Sequence, residues 1–128
     1  MAGEPYPKSR QLARGERRYR RKVASPKQWQ AIIEEKTGPC RVCGSVAENG
    51  RVFGLIEHHH IVARAHGGDD VPENIVPLCP DCHGEITRRN LLTVSSLLAS
   101  LSDAEYSYAV TKMGEGYFER AYGLRFER

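Results

Sequence analysis

One stretch decides how this chain folds. It runs Glu57-His58-His59-His60-Ile61-Val62, continues through Gly67-Gly68-Asp69-Asp70, and ends in Asn74-Ile75-Val76-Pro77-Leu78-Cys79-Pro80-Asp81-Cys82-His83. From Arg51 to Ile61 the chain is rich in Val, Phe, Leu and Ile and follows Glu48-Asn49-Gly50, so a strand or short hairpin is expected after that turn signal. Gly67–Asp70 reads as a flexible loop. Asn74–Leu78 reads as a short extended piece, and Asp81 to about Asn90 as a helix. The order is β-loop-β-α.

Two Cys-x-x-Cys pairs bracket this unit: Cys40-Arg41-Val42-Cys43, followed by Gly44, and Cys79-Pro80-Asp81-Cys82. Two intervening residues let both thiolates of a pair turn back on one ion. Four thiolates close a tetrahedral Zn²⁺ site of the structural kind, with no open position for chemistry. A redox use needs one such pair after a strand in a βαβ pattern, which is absent. Two disulfides are disfavoured in a reducing compartment. A structural zinc clamp joining the two ends of the intervening segment is therefore expected, and it contributes folding free energy directly.

Of the five histidines, His58, His59, His60 and His66 lie between the cysteine pairs, and His83 follows Cys82. Three consecutive histidines in a strand are poor core filling. Alternation sends neighbours to opposite faces, and every buried imidazole edge needs a partner. These rings are candidates for chemistry.

Outward from this unit, Ser25-Pro26-Lys27-Gln28 carries the signals of a helix start: a capping serine, proline in the first turn and glutamine three residues on. Trp29, Ile32 and Ile33 then share a face, and Gly38-Pro39 stops the helix. Trp29 is expected to anchor the core. Downstream, Thr93 is read as the cap of a short helix to Leu101. Ser102-Asp103-Ala104-Glu105 opens a helix to about Met113 with Gly114 as its stop, and residues 115–122 form a last one. Leu97, Leu98, Leu101, Tyr106, Val110, Tyr117, Phe118 and Tyr122 read as packing material. The organisation expected is a basic arm (1–24), a core with its preceding helix (25–92) and a helical extension (93–128).

The net charge of +3 over 128 residues conceals a division. Residues 1–28 hold nine basic groups against Glu4 and Glu16 (+7), whereas the remaining hundred hold ten against fourteen (−4). A basic arm ahead of an acidic body is the asymmetry of a nucleic-acid binder, each cation on a phosphate releasing a counterion. Arg17, Arg18, Arg20, Arg21 and Lys22 are the candidate contacts, with Tyr19 available to stack on a base. A composition 40% hydrophobic and 27% charged is globular and excludes collagen-like or wholly disordered classes. No apolar run reaches the roughly 18 residues that span a bilayer, and no apolar segment follows the first charges. A soluble, intracellular protein is expected.

The stretch from Glu57 to His83, with its cysteine pairs, resembles the HNH nuclease motif: the ββα-metal active site on a treble-clef zinc finger, an α+β fold. The resemblance covers about residues 38–90. The same module occurs in bacterial nuclease toxins, homing endonucleases, phage-encoded nucleases and RNA-guided nucleases, which implies a bacterial or phage-infected cytoplasm. Position by position, it implies that His60, followed by Ile-Val and a Gly-Gly loop, is the general base. His59 and His83 would hold a divalent metal, and Asn74 would hydrogen-bond the loop that orients the base. His58 is left as a supporting or substrate-contacting residue. Some members place a third histidine where this chain has Thr87, so the ion would be weakly held Mg²⁺ or Mn²⁺. The usual proline is replaced by Ala63. Arg64 and His66 lie beside the site as possible phosphate contacts, as do Arg88 and Arg89 on the helix.

The resemblance thus implies metal-dependent hydrolysis of double-stranded DNA, leaving 5′-phosphate and 3′-hydroxyl ends. A monomer would nick, and a homodimer could cut both strands. The other reading is a zinc-dependent nucleic-acid-binding treble clef without catalysis. It leaves the placement of His59, His60, Asn74 and His83 unexplained.

Overall fold

Three polar contacts at its two ends define the first helix, α1 (Pro26–Lys36). The Ser25 hydroxyl accepts from the Gln28 amide at 3.2 Å, the Gln28 side chain accepts from the Ser25 amide at 2.9 Å, and the Thr37 hydroxyl donates to the Ile33 carbonyl at 2.6 Å. The structure, a computed structural model, describes residues 21–45 and 56–124. The arm residues Arg17, Arg18, Tyr19 and Arg20, and the Asn49-Gly50 turn, lie outside the described residues.

Strands β1 (Glu57–His60) and β2 (Ile75–Leu78) pair antiparallel in the register Glu57↔Leu78, His58↔Pro77, His59↔Val76, His60↔Ile75. All four residues of β2 are buried, so it reads as a continuous apolar run rather than an alternating one. Pro77 has no N–H for a second neighbour, but its carbonyl accepts from the Arg41 amide at 2.9 Å and ties the first cysteine turn to β2. Cys79 caps α2 (Pro80–Thr87), completing a ββα unit.

Three further helices close the core: α3 (Leu91–Ala99), α4 (Asp103–Met113) and α5 (Tyr117–Tyr122). Here one expectation is corrected. Asn90, not Thr93, caps α3, because its Oδ1 accepts from the amides of Leu92 and Thr93 at 3.1 and 3.3 Å. Asparagine is the better cap, and the earlier start leaves Leu91 and Leu92 in solvent. The Ser102 capping box and the Gly114 end of α4 are as read. Val94, Leu97, Leu98, Ala109 and Phe118 from these helices, with Leu101 between α3 and α4, join Ile61, Val62, Val76, Leu78 and Ile86 in one core cluster. Each fully buried side chain of this size contributes about 1.5–3 kcal/mol.

A buried ion-pair cluster clamps three elements together. Glu105 on α4, 2% exposed, receives Lys36 of α1 at 2.6 Å and Arg41 of the cysteine turn at 2.7 Å. Burial alone would raise its carboxyl, but these partners outweigh that and hold it at about 2.

The Gly67–Asp70 segment is not the flexible loop expected. Gly67, Gly68 and Asp70 are buried. The Tyr108 hydroxyl donates to Asp69 Oδ2 at 2.6 Å, and Lys112 pairs with the same oxygen at 3.0 Å. At Gly68 a Cβ would lie 1.7 Å from the Val62 carbonyl oxygen, so only glycine permits this approach. No described helix is long and apolar enough to cross a membrane.

Candidate active site

The four cysteines meet. The Sγ atoms of Cys40, Cys43, Cys79 and Cys82 lie within 4.8 Å of one another, grouped so that they could hold one metal ion. The Cys43 and Cys79 sulfurs are 3.8 Å apart, matching the roughly 3.8 Å between two thiolates on a tetrahedral ion with 2.3 Å metal–sulfur bonds. Hydrogen bonds from Ser45 lower the Cys43 thiol to about 6, whereas burial and the neighbouring thiols raise Cys82.

On one face of β1, His59 turns toward α2. Its Nδ1 lies 3.2 Å from His83 Nε2, and its Nε2 lies 2.8 Å from the Tyr122 hydroxyl. The outer nitrogen of His83, Nδ1, meets Glu57 Oε1 at 2.6 Å. Burial, followed by the two neighbouring imidazoles, lowers His59 to about 3, so its ring is neutral. Two nitrogens bound at about 2.0–2.1 Å to one ion lie about 3.0–3.4 Å apart, so this pair fits a shared divalent cation. Among the described residues no third histidine, cysteine or carboxylate joins this pair in a metal-holding group. The Thr87 hydroxyl donates to the His83 carbonyl at 3.0 Å within its own helix.

On the other side of the strand, His60 Nε2 lies 2.9 Å from Asp70 Oδ1, and the Trp29 ring stacks on the imidazole at 5.8 Å and 9°. Burial lowers the His60 pKa against the opposing pull of Asp70. Burial would also raise Asp70, but the Ala24 amide, His60 and Arg21 outweigh it and keep the carboxylate ionised. Trp29 is half-buried and packs on the His60 ring rather than anchoring the core.

Asn74 is fully buried and fully used. Its Oδ1 accepts from the Val62 amide at 2.7 Å, and its Nδ2 donates to the carbonyls of Val62 and Asp69 at 3.0 Å. It thus ties the chain just beyond His60 to the loop that carries Asp70. The structure places His58 away from both rings, 3.0 Å from the Thr37 hydroxyl.

Of the two described residues read as nucleic-acid contacts, the Arg21 side chain is engaged inside the molecule, whereas Lys22 is exposed and held only through its backbone. Arg21 pairs with Asp70 and donates to the Gly68 carbonyl at 2.7 Å, while the Lys22 amide donates to Asp69 Oδ1 at 2.5 Å. The end of the basic segment is docked on the loop beneath His60.

A groove opens between the two faces, lined by His59, His60, His66, Thr87, Arg89 and Tyr117 among others. His66 Nδ1 is 3.3 Å from the Tyr117 hydroxyl, while Arg64 is exposed and close enough to His60 to lower its pKa. Arg88 pairs with Glu85 at 3.2 Å. Arg89 sits at φ 59, the single non-glycine residue of positive φ among those described. No hydrogen bond or ion pair among the described residues takes up its guanidinium.

Sequence reasoning missed Asp70, Glu57 and Tyr122. Asp70 carried a signal, a carboxylate ten residues from a histidine across a Gly-Gly turn. Tyr122 carried none, because its approach depends on how α5 packs.

A ββα unit with a thiolate cluster at its base thus carries paired histidines on its strand and helix. Residues 40–89 match the family described as HNH endonuclease. Over 59 residues the chain is 36% identical to the Type IV methyl-directed restriction enzyme EcoKMcrA of Escherichia coli (strain K12), a match covering 43% of this chain and 21% of that protein. The chain therefore spans about a fifth of that relative's length. No solved structure matches significantly.

Proposed function

We propose that the chain is a metal-dependent endonuclease that hydrolyses phosphodiester bonds of double-stranded DNA, with His60 as general base and a divalent cation held by His59 and His83. The observation that carries this reading is the facing pair His59 Nδ1 and His83 Nε2, 3.2 Å apart beside the groove that His60 also lines. The Cys40, Cys43, Cys79 and Cys82 set holds structural zinc, which fixes β2 and the start of α2. The relative's name, a restriction enzyme, supports DNA as substrate.

The Asp70 carboxylate can only accept, so His60 carries its proton on Nε2 and presents the Nδ1 lone pair. Its lowered pKa keeps the ring neutral at cellular pH, and Nδ1 takes a proton from the attacking water. Asp70, steadied by Arg21, stabilises the imidazolium that results, which is the logic of a carboxylate behind a catalytic histidine. When bound, a divalent cation supplies Lewis-acid stabilisation of charge on the phosphate and leaving oxygens. Arg89 and His66 contribute positive charge and a hydrogen bond along the groove, where the phosphate lies. Arg17, Arg18 and Arg20 add nonspecific affinity for the DNA backbone.

The test incubates the purified chain with supercoiled plasmid and Mg²⁺, Mn²⁺ or Ni²⁺, against an EDTA control, and maps the ends of the product. Divalent-dependent nicking that His60→Ala abolishes, with zinc content and DNA retention unchanged, supports the reading. Retained DNA binding with no cleavage under any metal would reduce the protein to a binding module.

A further inference from the structure

Tyr122 on α5 and Glu57 on β1 are both needed to explain how His59 and His83 face each other. Tyr122 is buried, and its hydroxyl donates its single proton to the Ile61 carbonyl at 2.6 Å, because a carbonyl cannot donate. The same oxygen lies 2.8 Å from His59 Nε2, so it accepts there and the His59 proton sits on Nε2. Glu57 Oε1, an acceptor, lies 2.6 Å from His83 Nδ1 and places that proton on Nδ1. When His83 is neutral, the two inward nitrogens, His59 Nδ1 and His83 Nε2, are then both bare at 3.2 Å. Two lone pairs at that distance repel, and a cation between them removes the conflict.

We propose that Tyr122 and Glu57 are positioning residues that fix the tautomers of His59 and His83, so that two lone pairs converge on one divalent cation. The assignment rests on the metal-site reading above and extends it to residues of the C-terminal helix and of the strand's first position. Outer partners of this kind typically change metal affinity 10- to 100-fold.

The experiment uses the full, zinc-loaded chain labelled with ¹⁵N-histidine at pH 7.5. Long-range ¹H–¹⁵N correlation reads each tautomer without a second metal or any substrate, and Ni²⁺ titration by calorimetry reads affinity. The expected result is Nε2–H for His59 and Nδ1–H for His83 in the parent chain. Tyr122→Phe should redistribute the His59 tautomers and weaken Ni²⁺ about tenfold. Glu57, half-exposed, offers a variant that does not threaten folding. Glu57→Ala should weaken Ni²⁺ about tenfold, and Glu57→Gln, which keeps an acceptor, should restore most of it. An Nδ1–H tautomer of His59 in the parent chain, or parental Ni²⁺ affinity in both Tyr122→Phe and Glu57→Ala, would overturn the proposal. Tautomers as expected with no Ni²⁺ uptake would support the proton assignment and overturn the metal-site reading instead.

Discussion

His59 and His60 are neighbours in the chain and identical in chemistry, yet their rings end in different surroundings. His59 passes its outer nitrogen to a buried tyrosine hydroxyl and its inner one to another imidazole, whereas His60 meets a carboxylate and lies against an indole. Strand alternation makes the division, and in the proposed mechanism the partner at each ring's outer nitrogen decides the use. A neutral acceptor behind His59 leaves a ligand nitrogen without adding charge. An anion behind His60 stabilises the ring once it is protonated, which a base requires and a ligand does not.

The strongest way to break this division is to remove each ring in turn. His60→Ala and His59→Ala should each lower plasmid nicking about 10²–10⁴-fold. Only His59→Ala should abolish Ni²⁺ binding measured by calorimetry, and equal losses of Ni²⁺ would merge the two roles. A control away from both faces is Glu105→Ala, which strands Lys36 and Arg41 and should cost about 3 kcal/mol in thermal or urea unfolding. Nicking per folded molecule should remain. Because folding holds the Glu105 carboxyl at about 2, below its unfolded value near 4.3, its contribution is present above pH 4.3 and is lost as pH falls toward 2.

Asp70→Asn sharpens the comparison on the His60 side. An amide turns either edge to the ring and no longer fixes the tautomer, so kcat should fall about 10- to 100-fold. Burial already lowers His60 and Asp70 opposes that, so losing the carboxylate should move the acid limb of the pH–rate profile further down, not up. The smallest effect concerns Arg89. Glycine accepts its left-handed backbone freely, so Arg89→Gly should raise stability by up to about 1 kcal/mol while slowing nicking about tenfold. Opposite signs in the two assays separate a residue kept for the phosphate from one kept for the fold.

Much of the ββα unit was legible because its signals are local. Capping boxes at Ser25 and Ser102, the cysteine spacings and the apolar run of β2 need no tertiary information. Asn90 was passed over for Thr93 although both are capping residues, since only geometry decides which amides an oxygen reaches. The run His58–His60 stood out because three polar rings in a strand require partners, and positions 59, 60, 74 and 83 were then picked out by resemblance to the HNH motif. The partners themselves did not: Asp70 was hidden in a segment read as flexible, Trp29 in a helix face read as core, and Tyr122 in a tail read as packing. Arg21 illustrates the same limit, since a basic run looks uniform until one member finds a buried carboxylate.

Gly68 carries a consequence for how this domain tolerates change. An added methyl group would overlap the Val62 carbonyl, so a saturation library should retain glycine there whether selection asks for cutting or only for a soluble fold. Invariance at position 68 would then record crowding between two backbone segments, and a count of tolerated residues would rank it beside His60 for an unrelated reason. Gly67, at φ 92, is held to glycine by backbone conformation as well.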